Sequence, residues 1–456
     1  MLTRDASIAA DRFGFGARPG ELEEIGSDPR GWLKGQLKSS AVVANDLPSS
    51  ATGLTKFFED VAKRKELAQA ARRNQDAATD IGKMIAQGLR GFYIDEVVFR
   101  TRQAVITETP FLERLVQFWS NHFTVSAKGK LITVPTVGAF EREAIRPHVT
   151  GRFIDMLMAV EKHPAMLTYL DNYLSFGPNS RIGKRRDRGL NENLGREIME
   201  LHTVGVNAGY TQADVTNFAK VLTGWTIVGP RRPFGEKGTF QFVNFVHEPG
   251  PQTVMGKVYD QDGMAQGEAV LHDLAYHPAT AQHVATKLVS HFVADDPPKP
   301  AVDRIAMTFR DTGGDLAAVS AAIVDLNEAW AEPFQKVKSP NDFILSTLRG
   351  LKLNDLEPKK TVGLYILLGQ QPFFAPSPAG WPDTAADWMG PDAVKKRLDL
   401  AETVGRKIGT YVDPRQLAEA LLGPVLSAHT QEAVARAASG AQGFALLLMS
   451  PEFQRR

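Results

Sequence analysis

Apolar residues recur at helical spacing along almost the whole chain, and this restricts its fold more than any other feature. Stripes with a period of 3.6 bury themselves by packing helix on helix, whereas strands need alternation. From about residue 56 to 108, Ala, Arg, Lys and Glu are interleaved with Phe, Leu, Ile and Val, predicting long amphipathic helices. Thr109-Pro110 opens another, FLERLVQFWSNHF, with proline at its first position. Residues 151–171 predict a helix interrupted at Pro164. Residues 211–225 predict one with Thr211 and Asp214 as its capping pair and Val215, Phe218, Ala219 and Leu222 as its stripe. Pro278 starts the next, with Ala281, Val284, Ala285, Leu288 and Phe292 facing a core. Helices continue at 301–311, 315–329, 340–350 and 358–369, and several more follow residue 391. Residues 41–55 and the Pro- and Trp-rich 371–391 segment read as loops.

One stretch departs from this pattern. Residues 227–266 are rich in Gly, Pro and aromatics, and TFQFVNF alternates. It predicts a strand followed by a second short strand around 253–259, a small β-hairpin or ordered insertion near 238–259. The expected fold class is mainly α, a large multi-helix body forming a single domain over 1–456. A weak sub-boundary falls at the linker 294–301, with similar helices on both sides.

Composition narrows the function classes. The 456 residues are 43% hydrophobic and 23% charged, as in a soluble globular protein with a large core. Lys and Arg number 53 and Asp and Glu 52, so no global charge draws the chain to nucleic acid. Without cysteine, disulfides and thiolate chemistry are excluded, and any metal must be held by His, Asp and Glu. A divalent metal is left open. The absence of GxxxxGK[ST], of GxGxxG after a strand and of GxSxG argues against a nucleotide cofactor and an α/β-hydrolase nucleophile. No run of about 18 apolar residues suggests a membrane span, and the N-terminus lacks the apolar core of a signal peptide, so the default location is cytoplasmic.

The densest polar stretch is NENLGREIMELHTVGV at 191–206. Asn193, Glu197 and Glu200 fall at i, i+4 and i+7 on one helical face, beside a stripe of Leu194, Ile198 and Leu201. Glu197 and Glu200 are candidates for an acid/base pair or metal ligands, with Asn193 and Arg196 orienting them. The competing account is a solvated face with an Arg196–Glu200 pair. In FWSNHF, His122 shares an apolar face with Leu115, Phe118 and Trp119, as an ordinary core histidine does, unless it meets a carboxylate. His247 precedes a Gly/Pro turn and is a loop candidate. Asp171 and Asn172 end a helix and read as caps or as site residues. His283, Lys287 and His291 lie at i, i+4 and i+8 beside a core stripe, while His277 before Pro278 reads as a cap. The basic run 181–188 reads as a solvated loop, or as a lip for an anion. Trp381 and Trp388 form a stacking platform or a plug in the body.

Together these motifs resemble the bacterial family known as domain of unknown function 1800, over nearly the whole chain. The resemblance is carried by RFGFG ending at Gly16, FWSNHF at 118–123, HPAMLTYLDN at 163–172 and NENLGREIMELHTVGV. It continues through YTQADV, LTGW, the turn after His247, HPATAQHVATKLVSHFV, KSPNDF at 338–343, GWP at 380–382 and SPEFQ at 450–454. It implies site roles for Asn121, His122, Asp171, Asn172, Asn193, Arg196, Glu197, Glu200 and His247. One departure follows His247: the family tends to carry Asp and Lys there, and this chain has Glu248 and Gln252. The resemblance implies no established reaction. It does imply a sulfatase- or phosphatase-like partner protein, and export alongside it.

Two expectations follow. In one, the chain is an enzyme with Glu197, Glu200, His122 and His247 as catalytic groups and Asn121, Asp171, Asn172, Asn193, Arg196 and Trp381 binding substrate. It would hydrolyse, or eliminate from, a polar substrate such as a saccharide. In the other it is a non-catalytic partner or scaffold, its polar residues a buried network fixing helix packing.

Overall fold

The structure is a computed structural model that describes residues 2–70, 75–186, 189–230, 235–331 and 334–456; the side chains of 67–87 and 186 fall outside the description. Asp187 and Arg188, the end of the basic 181–188 run, also lie outside the described residues.

The body is helical, as its periodicity requires, and the central helix is Pro110–His122. It is buried on nearly every side, not only along one stripe. Its charged residues, Glu113 and Arg114, are therefore paired internally. Glu113 accepts from Arg146 at 2.7 and 2.8 Å, and Arg146 reaches Glu141 at 2.8 Å. Removing one partner from such a buried group typically costs about 3–5 kcal/mol. Phe13 sits at the end of this helix, with ring centroids 5.5 Å from Phe111, 5.7 Å from Phe292 and 5.4 Å from Trp330. Residues far apart in sequence thus share one aromatic cluster.

The caps fall where the sequence places them. Thr211 and Asp214 form a reciprocal capping box on Gln212–Val221, and the His277 side chain accepts from the Ala279 amide to cap Pro278–Phe292. Such caps are worth about 1 kcal/mol each. The 41–55 loop is shorter than expected, because a helix starts at Ser50, whose amide and hydroxyl both donate to Glu143. Buried apolar side chains form one cluster from Ala6 to Phe453, spanning the 294–301 linker.

Two further findings differ from the sequence reading. The 191–206 stretch is not one regular helix. Asn193–Glu197 runs into a π-helical turn, Ile198–His202. A π turn inserts one residue per turn, so the inward position passes from Leu201 to His202. Leu194, Ile198, Met199 and His202 are fully buried, while Leu201 is half-exposed. The strands also pair differently. β1 (Trp225–Ile227) pairs antiparallel with β2 (Phe240–Phe242), and β3 (Gln252–Val254) with β4 (Lys257–Tyr259). Residues 239–245 thus fold back on the LTGW turn instead of forward on 253–259. The second pair closes on itself around Met255 and Gly256, both in the left-handed region. Among the described residues no helix is long and apolar enough to cross a membrane.

Candidate functional site

A cavity of about 350 Å³ opens between Pro110–His122, Pro278–Phe292, the start of Pro340–Gly350 and the 370–383 loop. Its size is that of a small-molecule site. From the first helix it takes Gln117, Phe118, Ser120, Asn121 and His122, and from the second Lys287, Ser290 and His291. The i, i+4, i+8 file on 278–292 puts Lys287 and His291 on the face that meets the cavity.

The loop wall is fastened rather than draped. Asn121 Nδ2 donates to the Trp381 carbonyl at 3.0 Å, and its Oδ1 accepts the Trp381 amide at 2.8 Å. The Phe373 carbonyl accepts from the Ala127 amide, and that of Ala375 from the Ser126 hydroxyl, both at 2.8 Å. Gly380 has φ +85°, and a Cβ there would stand 2.6 Å from the Asn121 carbonyl oxygen. Trp388 is buried, with its ring 6.0 Å from that of Trp381.

Both carboxylates of the cavity are already engaged. His291 Nδ1 donates to Asp383 Oδ2 at 2.6 Å, and Arg456 and Lys336 flank the same carboxylate at 3.6 and 3.7 Å. Burial opposes the charge on Asp383, but His291, and then Arg456 and Lys336, outweigh it and hold the group ionised. Burial likewise takes His291 down to about 4, so a neutral imidazole faces an ionised aspartate. Asp342 lies 3.2 Å from both Arg114 and Arg456. Arg114 is fully used: it also donates to the Gly14 carbonyl at 2.6 Å and stacks 4.6 Å above Phe15. The RFGFG segment thereby anchors one cavity wall.

Lys287 stands apart. It is half-buried and, among the described residues, no carboxylate pairs with it. Burial alone brings its amine down to about 8. Beside it, His122 is buried and held well below the ordinary histidine value by burial and by Lys287, His283 and His202. His122 Nε2 donates to the His202 carbonyl at 3.1 Å, leaving Nδ1 without a hydrogen-bond partner among the described residues.

The 191–206 segment forms the layer behind this wall. The π turn presents the His202 carbonyl to His122 and the Leu201 carbonyl to His283 at 3.0 Å. The His202 ring turns away to Glu161, 2.8 Å from Nδ1. Glu197 and Glu200 do not line the cavity. They form a separate half-buried group in which burial, then Glu200, raises the Glu197 carboxyl, and Glu200 bonds Tyr210. Arg196 bridges Glu192 at 3.1 Å, Glu200 at 3.5 Å and Gln212 at 2.9 Å, and Asn193 is exposed.

The remaining candidates lie elsewhere. Asp171, at φ +59°, pairs with Lys130 at 2.5 Å. Asn172 Nδ2 donates to the Leu222 and Trp225 carbonyls at 3.1 and 3.0 Å, and His247 Nδ1 donates to that of Thr223 at 2.8 Å. Both therefore brace the LTGW turn, and burial lowers His247. Glu248 is buried and accepts from Asn179 at 2.8 and 2.6 Å. Of the site residues expected from sequence, the cavity gathers Asn121, His122 and Trp381. It adds Lys287 and His291, for which the helical file on 278–292 was the visible signal, and Asp383, for which there was none. Among the described residues no three His, Asp or Glu side chains are arranged to hold a metal ion.

The family model described as protein of unknown function (DUF1800) matches residues 8–455. The chain belongs to this family. No curated protein and no solved structure matches it. Five of the family-like segments, RFGFG, FWSNHF, HPATAQHVATKLVSHFV, KSPNDF and GWP, supply lining residues to the one cavity.

Proposed function

We propose that this DUF1800 protein is an enzyme that acts on a polar substrate in the 350 Å³ cavity by hydrolysis or elimination, with Lys287 as general base. The observation that carries this is an amine at a cavity wall, with no carboxylate partner among the described residues and brought by burial to about 8. A base with that value is partly free at neutral pH and still basic enough to take a proton from water or from carbon. His122, neutral and with Nδ1 unpartnered, is the second proton carrier. His291 is fixed by Asp383 and positions the wall. Glu197 and Glu200 act at most through the His202 turn behind His122.

The test is turnover across a panel of saccharides and other polar substrates by wild type, Lys287→Met and His122→Ala. Loss of a positioned general base lowers kcat by about 10²–10⁴-fold. The wild-type rate should climb with pH and level off above about 8, as the amine frees its lone pair. A Lys287→Met protein as fast as wild type, or a wild type inert on the whole panel, removes the reading.

A further inference from the structure

The hydrogen-bonding inventory of the cavity is unbalanced. Asp342 and Asp383 are both taken up by protein cations, and Asn121 and Trp381 satisfy each other. Unused donors remain. Arg100, on Gln75–Ile106, makes one ion pair, from Nε to Glu141 at 3.3 Å, and no hydrogen bond from its terminal nitrogens among the described residues. Its guanidinium lies 5.0 Å from the Phe373 ring centre. Phe373 is itself held at φ +61°, a conformation that costs about 1–3 kcal/mol and persists only where its surroundings impose it. Gln117 is buried; its Oε1 accepts from Asn341 at 2.9 Å, while its Nε2 has no partner among the described residues. Lys287, with no carboxylate partner among the described residues, is the third donor at the cavity.

A buried donor without a partner, as Gln117 Nε2 is, is costly and calls for a ligand, an ion or a water to satisfy it. A planar guanidinium with free terminal nitrogens fits a carboxylate, sulfate or phosphate oxygen pair better than a neutral hydroxyl. We infer that the substrate carries an acidic group, a carboxylate or a sulfate or phosphate ester, seated on Arg100 and Gln117, with Lys287 facing the atom that loses its proton. This rests on the same cavity being the site. It adds a substrate class, an anion, and an anchoring role for Arg100.

The experiment is calorimetric binding of glucose, glucuronate, glucose 6-sulfate and glucose 6-phosphate to the full chain, with Arg100→Gln and Arg100→Lys. At least one acidic sugar should bind about tenfold or more tightly than glucose, a difference of about 1.4 kcal/mol. Arg100→Gln should abolish the preference. Arg100→Lys, which keeps the charge opposite Glu141 and so guards against simple misfolding, should reduce it severalfold. Equal binding of glucose and the acidic sugars overturns the inference. So does a preference unchanged in both variants, or no binding of any of the four. A protein that binds acidic sugars through Arg100 but turns nothing over loses the catalytic reading and keeps this one. Turnover of neutral substrates, indifferent to Arg100→Gln, does the reverse.

Discussion

At the scale of single residues, Lys287 shows how function and stability pull apart. Drawing an ammonium partly out of water is unfavourable, and among the described residues no carboxylate offsets it. Lys287→Met should therefore raise the melting temperature while lowering kcat by about 10²–10⁴-fold. The pH dependence has a definite sign. Between about 8 and 10.5 the unfolded chain keeps a proton on this lysine that the folded chain has released. Wild-type stability should thus rise with pH through that window, by an increment missing in Lys287→Met. Denaturant melts of both proteins at pH 7.5 and 10 check this, and parallel curves would refute it. Glu161 is the opposite case. It is buried and accepts the His202 Nδ1 hydrogen, so Glu161→Ala strands a donor in a dry site. The expected loss is about 3 kcal/mol, read as a lower denaturation midpoint at constant m-value.

At the scale of elements, the decisive pieces are a π turn and a pinned loop. The π turn at Ile198–His202 sets which face of the 191–206 segment points inward. Its extra residue cannot be seen in the sequence, because Leu201 continues the i, i+3, i+4 series as well as His202 replaces it. That single insertion turns the file of glutamates away from the cavity and delivers two backbone carbonyls to His122 and His283. The 370–383 loop depends on Gly380, where a side chain meets both an unfavourable φ and the Asn121 carbonyl. Gly380→Ala should lower stability by about 2 kcal/mol and, by loosening the Trp381 wall, raise KM more than it lowers kcat. An unchanged KM would show that this wall does not touch substrate.

At the scale of the whole molecule, the helices on either side of 294–301 share one apolar core, and Phe13, Phe111, Phe292 and Trp330 bridge it. Arg114 ties the same parts together through Gly14 and Asp342. The chain should accordingly unfold in one cooperative thermal transition, and Arg114→Leu should shift it downward as a unit, without splitting it. Calorimetry showing two resolved transitions in wild type would contradict this.

The sequence by itself determined the helical architecture, most helix starts, the caps at Thr211 and His277, and the family. These are local properties: periodicity, proline at the first helical position and side-chain-to-backbone capping act over a few residues. It also marked Asn121, His122 and Trp381, and the polar file containing Lys287 and His291. Only the tertiary structure decided which polar files meet. His122 and Lys287 come together across a helix–helix crossing, Asp383 reaches His291 over 92 positions of chain, and β2 turns back to β1. Such pairings depend on packing angles and on one inserted residue in a π turn, which no short-range pattern encodes.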